Sequence, residues 1–152
     1  MNNDRTDLRY FEDIEVGTVH ELGTYMVNKK DIIEFAEQWD PQYFHVDAEA
    51  AADSMFGELV ASGIHTLAIL QRIASLNYYA ETDVHGGPGI EDIQFTTPVR
   101  PGDTLSVIMT VESKRDLESS PNRGLVHFGF TVTNQNDVTV LTATVLSLIG
   151  KR

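Results

Sequence analysis

Asp40 and His45 stand five residues apart in the segment Asp40-Pro41-Gln42-Tyr43-Phe44-His45. A carboxylate and an imidazole on one bent loop can converge on a single water or a single reacting carbon. Together they supply the general acid and general base that proton transfer at carbon requires. Histidine suits either role near neutrality because its unperturbed pKa is ~6.5. A second group follows at Ala61-Ser62-Gly63. If a helix begins there, its first turn offers unpaired N–H groups and the positive end of a dipole. A glycine at that point lets a carbonyl approach the backbone closely, and the N–H can stabilise an enolate oxygen. Ser62 reads as the helix N-cap, since the elbow that would make it a nucleophile is missing. A metal site on His45 and Asp47 lacks a third ligand, so none is expected.

The elements that position these groups follow from periodicity. Thr18-Val19-His20-Glu21-Leu22 and Thr24-Tyr25-Met26-Val27 read as one or two short strands punctuated by Gly17 and Gly23. Asn28 is an N-cap candidate, and Ile32, Phe35, Ala36 and Trp39 recur at helical spacing up to Asp40-Pro41. An irregular connection is expected over residues 40–46, and then a short alanine-rich helix capped by Asp47. Residues 64–76 are apolar round most of a helical circumference, with a thin polar stripe at His65, Thr66 and Arg72, which predicts a helix inside the domain. His65 on that stripe is a candidate for the pocket wall. His85 falls in the glycine-rich segment 83–89, expected to be a loop.

The second half reads as strands. Leu105, Val107, Met109 and Val111 alternate with Thr104, Ser106, Ile108 and Thr110, Val126, Phe128, Phe130 and Val132 alternate with His127, Gly129 and Thr131, and residues 139–149 form a long β-branched run. Helices followed by a meander of strands predict an α+β domain in which the sheet wraps the apolar helix.

Composition narrows the function classes. The 152 residues suffice for one domain, with residues 1–9 expected to fray. No apolar run approaches the ~20 residues of a spanning helix, and the N-terminus has no signal-peptide pattern, so a cytoplasmic protein is expected. There is no cysteine, hence no thiolate chemistry. A formal charge of −12 without a basic run sets nucleic-acid binding aside.

Asp40-Pro41-Gln42-Tyr43-Phe44-His45-Val46-Asp47, with Phe56-Gly57-Glu58-Leu59-Val60-Ala61-Ser62-Gly63-Ile64-His65-Thr66, resembles the hydratase signature of the MaoC-like dehydratases, the R-specific enoyl-CoA hydratase group. Residues 95–105, Phe95-Thr96-Thr97-Pro98-Val99-Arg100-Pro101-Gly102-Asp103-Thr104-Leu105, resemble the strand–turn–strand that follows the helix in that family. The resemblance implies a hot-dog fold, with a long central helix in a curved antiparallel sheet. It implies a homodimer or higher homo-oligomer with the acyl-CoA tunnel near the subunit interface. It also implies catalysis by Asp40 and His45 with an oxyanion contact from the Gly63 N–H. The reaction implied is addition of water to a trans-2-enoyl-CoA, giving an (R)-3-hydroxyacyl-CoA, with CoA as part of the substrate and no separate cofactor. Many typical members carry Asn at the position of Gln42 and a Pro-Leu or similar pair at Tyr43-Phe44. Ser62, His65, Tyr43, Phe44 and Arg100 are the further candidates for substrate contact. Two rival readings are a thioesterase on the same fold and a non-catalytic acyl-CoA-binding module.

Overall fold

The structure is a computed structural model in which residues 7–152 are described. Strand β1 (Val19–Met26) leads into helices α1 (Lys29–Trp39), α2 (Tyr43–Val46), α3 (Ala48–Ala51) and α4 (Gly63–Asn77). Strands β2 (Val84–Phe95), β3 (Thr104–Asp116), β4 (Arg123–Thr133) and β5 (Thr139–Gly150) complete the chain. All pairings are antiparallel, in the order β1-β3-β4-β5-β2. The curved sheet around a central helix is the expected α+β, hot-dog arrangement.

Alternation decides which face of the sheet meets the helix. Leu105, Val107, Met109 and Val111 of β3 and Val126, Phe128, Phe130 and Val132 of β4 are buried, as are Leu141, Ala143, Val145 and Ile149 of β5. Against them α4 buries Ile69, Leu70, Ile73 and Ala74. Just past α4, Tyr78 and Tyr79 meet Phe128 edge-on, with centroids 5.5 and 5.8 Å apart. The helix is not covered all round: Ile64 and Leu76 are exposed.

Local capping agrees with the sequence at both helix starts. Asn28 accepts from the Asp31 N–H at 2.8 Å, and Asp47 accepts from the N–H groups of Glu49 and Ala50. Burial in α1 stops at Ala36, and Trp39 is exposed, so the apolar stripe is shorter than its spacing suggests. The connection after Asp40 is less irregular than expected, because residues 43–46 wind into the single turn of α2.

Two expectations are corrected. The glycine-rich segment with His85 is not a loop but the first half of β2, where Gly86, Gly87, Pro88 and Gly89 lie in an edge strand. Its register against β5 shifts three times, and pairing with Leu146 and Leu148 overrides the turn-like composition. His85 faces Asp83 at 3.0 Å, away from the cleft described below, whose lining does not include it. Arg9, expected to belong to a frayed terminus, is instead held in place. The Arg9 N–H bonds the Glu81 carbonyl, its carbonyl accepts from Asp83, and its guanidinium bonds Thr82 and lies 4.0 Å over the Tyr78 ring. Residues 1–6 lie outside the described part.

Phe128 joins α4's end to the centre of the sheet. Phe128→Ala is expected to lower the unfolding free energy by ~3–5 kcal/mol, read by urea denaturation.

Candidate active site

The loop after α1 turns sharply because Pro41 keeps Asp40 out of helical geometry, and Asp40 takes φ −156° and ψ 69°. The Gln42 N–H returns to the Asp40 carbonyl at 2.8 Å, and α2 then lifts His45 into the interior, where it is 6% exposed. An extended segment runs past this turn. The Val60 N–H bonds the Phe44 carbonyl and the Ala61 N–H bonds the Val99 carbonyl, so residues 60–61 bridge the His45 turn and the connection before β3. Ser62 follows, fully buried, and caps α4 by accepting from the Ile64 N–H.

These elements bring Asp40, His45, Ser62 and Gly63 to one cleft of about 580 Å³, with Phe44, Phe56, Phe95 and Val99 among its apolar walls. His45 Nδ1 lies 2.7 Å from the Val60 carbonyl oxygen. A carbonyl only accepts, so Nδ1 carries the hydrogen, and in neutral imidazole Nε2 is the basic nitrogen. That Nε2 faces Asp40 Oδ2 at 3.4 Å. Asp40 Oδ2 also accepts from the Ser62 hydroxyl at 2.7 Å, and Oδ1 accepts from Gln42 Nε2 at 2.8 Å. The Ser62 hydrogen bond holds the Asp40 carboxyl below the usual carboxylate range, with help from Gln42 and the charge of His45 and against the effect of burial. Phe44 packs edge-on against the His45 ring, with centroids 4.6 Å apart, and limits its rotation.

Gly63 opens α4, so its N–H has no partner within the helix. A Cβ there would lie 2.8 Å from the Phe95 ring, so only glycine lets that aromatic cover the helix start. Arg100 lines the cleft but is paired with Glu58. Phe44 is in the wall, whereas Tyr43 is half exposed and does not line the cleft. His65 does not line it either. It is stacked on Phe35 at 4.5 Å, and burial pushes its pKa down. The sequence reading missed Phe95, the Val60 carbonyl and the Ser62–Asp40 hydrogen bond. Only Phe95 left a trace, as an aromatic ending a strand beside a Pro-Val-Arg-Pro turn. Among the described residues no cluster of three metal-ligating side chains forms, and no helix is long and apolar enough to cross a membrane.

A curved antiparallel sheet around one helix is the hot-dog fold, here with an Asp–His pair beside the helix N-terminus. Residues 13–132 match the MaoC-like domain model, and the chain belongs to that family. Among curated proteins it is 33% identical over 144 residues to the YdeM protein of Bacillus subtilis (strain 168), covering 93% of this chain and 98% of that one. Among solved structures it is similar to a MaoC-like dehydratase from Rhodospirillum rubrum, with a TM-score of 0.86, 33% identity and coverage of 95% and 98% of the two chains. It is also similar to the R-hydratase PhaJ1 from Pseudomonas aeruginosa, with a TM-score of 0.72, 26% identity and coverage of 94% and 86%.

Ser62→Ala removes both the cap and a hydrogen bond to a charged group, and should cost ~1–3 kcal/mol at neutral pH. Asp40 has a folded-state pKa below its unfolded value, so its contribution is present above about pH 4 and is lost as pH falls through the lower folded value. The penalty of Ser62→Ala should therefore shrink on acidification, as read by urea midpoints at neutral and acid pH.

Proposed function

We propose that the chain catalyses reversible hydration of a trans-2-enoyl-CoA to an (R)-3-hydroxyacyl-CoA, with Asp40 and His45 as the acid–base pair. One observation carries the reading. With Nδ1–H committed to the Val60 carbonyl, the neutral form of His45 turns a lone pair toward Asp40 at 3.4 Å, so in that form two acceptors converge with no hydrogen between them. A water can satisfy both by donating one hydrogen to each.

The steps follow from those charges. Asp40, a weak base because its pKa is lowered, orients the water and holds one of its hydrogens without taking it. His45 Nε2 takes the other proton as the water oxygen bonds to C3 and the C2–C3 π electrons move toward the thioester carbonyl. The resulting enolate oxygen is stabilised by the Gly63 N–H and the start of α4. The imidazolium, itself stabilised by Asp40, then returns the proton to C2. Water has added across the double bond and the pair is restored. The apolar walls fit an acyl chain. The reaction is redox-neutral, so these groups account for it with CoA as part of the substrate.

The family and its hydratase neighbours support this reading over a thioesterase, in which the pair would have no evident task. Assembly as a homodimer or higher homo-oligomer is part of the proposal. The edge strand β2 exposes Ile90 and Phe95, and α4 exposes Ile64, apolar side chains that a second copy would cover.

Asp40→Asn and His45→Ala should each lower the loss of enoyl ultraviolet absorbance from crotonyl-CoA by at least ~10²-fold, with folding retained. Free thiol should not accumulate with the wild-type protein; its release in step with turnover would make the chain a thioesterase. Binding of enoyl-CoA without turnover would instead favour the non-catalytic module. Because a protein of charge −12 repels the anionic CoA, kcat/KM should rise as moderate salt screens the encounter.

A further inference from the structure

Fixing one carboxylate oxygen leaves the group free to turn about its Cβ–Cγ bond. The Ser62 hydroxyl anchors Oδ2 at 2.7 Å, but by itself it permits rotations that carry the Oδ2 lone pairs out of line with His45 Nε2. A hydrogen bond to the other oxygen removes that freedom. Gln42 provides it, with Nε2 donating to Oδ1 at 2.8 Å. The backbone sets up the contact: the Gln42 N–H bonds the Asp40 carbonyl at 2.8 Å, and this tight turn brings the carboxamide and the carboxylate to the same side of the loop.

We propose that Gln42 is a positioning residue for the hydration, its carboxamide fixing the plane of the Asp40 carboxylate so that Oδ2 and His45 Nε2 aim at one water. The inference rests on the hydration reading and deepens it. Gln42 is exposed, so removing its side chain leaves no buried polar group without a partner, and fold stability gives little reason for the contact. His45, from α2, is the titratable group acting on Asp40. Arg100 and Glu58, in and beside the same cleft, are paired with each other.

The variants Gln42→Ala and Gln42→Glu separate positioning from bulk. The first removes the donor. The second keeps the side-chain length but sets an acceptor and a negative charge against Asp40. With crotonyl-CoA as probe, Gln42→Ala should lower kcat by on the order of tenfold or more with KM little changed. Gln42→Glu should be worse still at neutral pH, because its carboxylate accepts where a donor is needed and repels Asp40. Thermal midpoints of both variants should stay near that of the wild type. Independently of turnover, the carbon-13 titration of the Asp40 carboxyl should move to higher pH in Gln42→Ala. An active enzyme in which Gln42→Ala changes neither kcat nor that titration overturns the positioning role. So does equal activity of Gln42→Glu and the wild type at neutral pH. A wild-type protein that hydrates no enoyl-CoA overturns the hydration reading instead, and the titration then still reads whether Gln42 holds Asp40.

Discussion

Ser62 donates its hydroxyl hydrogen to Asp40 at 2.7 Å while accepting from the Ile64 N–H at 3.2 Å, and so ties the acid–base loop to the start of α4. The two partners are 22 residues apart in sequence, and the Ser62 side chain is shut away from solvent. Without it the loop would be attached to the segment before α4 through the backbone bond between Val60 and Phe44 and the bond from His45 Nδ1 to the Val60 carbonyl. With it, the helix that the sheet encloses becomes the reference frame for the carboxylate. Sheet packing against α4 thereby reaches the Asp40 carboxylate through the Ser62 side chain, while the Val60 carbonyl holds the imidazole. The same helix start presents the Gly63 N–H, so the proposed acid–base pair and the proposed oxyanion contact share one rigid support.

Electrostatics divides the labour within the pair. Donors on both oxygens favour the ionised form of Asp40, which in the proposed hydration suits an acceptor and counter-charge rather than a proton store. His45 has one nitrogen occupied by the Val60 carbonyl and the other facing the carboxylate, so in the proposed hydration the transferred proton rests on Nε2. The asymmetry is built from a backbone carbonyl and a buried serine.

Much of the fold was legible because alternation has a simple physical cause. Val126, Phe128, Phe130 and Val132 face the helix because successive side chains on a strand point to opposite sides, and their burial follows the sequence pattern position by position. The caps at Asn28, Asp47 and Ser62 were legible for the same reason: each has a side-chain oxygen placed to reach an unpaired N–H. The first half of β2 was not, since Gly86, Gly87, Pro88 and Gly89 carry turn chemistry and only pairing with β5 makes them a strand. Asp40 and His45 were legible through a resemblance more than through spacing. The Val60 carbonyl that fixes the imidazole tautomer was invisible, because a backbone oxygen leaves no mark on residue type. His65 drew attention as a histidine on a buried helix, yet it lies two residues past Gly63, on the face that stacks on Phe35 rather than on the cleft.

Phe95 connects the site to the sheet's open edge. It ends β2, lies against Gly63 closely enough to exclude a Cβ, and forms part of the cleft wall. The strand that carries it has a neighbour on one side only and shows irregular register, with Asp92 in a left-handed conformation at φ 53°. A strand held on one side and broken by bulges is the least constrained part of such a sheet. Anything that pairs with the free side of β2 stiffens the strand, and with it the aromatic wall over the oxyanion contact. The proposed second copy would therefore influence the site through the position of Phe95, even where it brings no side chain of its own to the reacting atoms. The stability of the edge and the shape of the cleft are set by one strand, and a change to either acts on both.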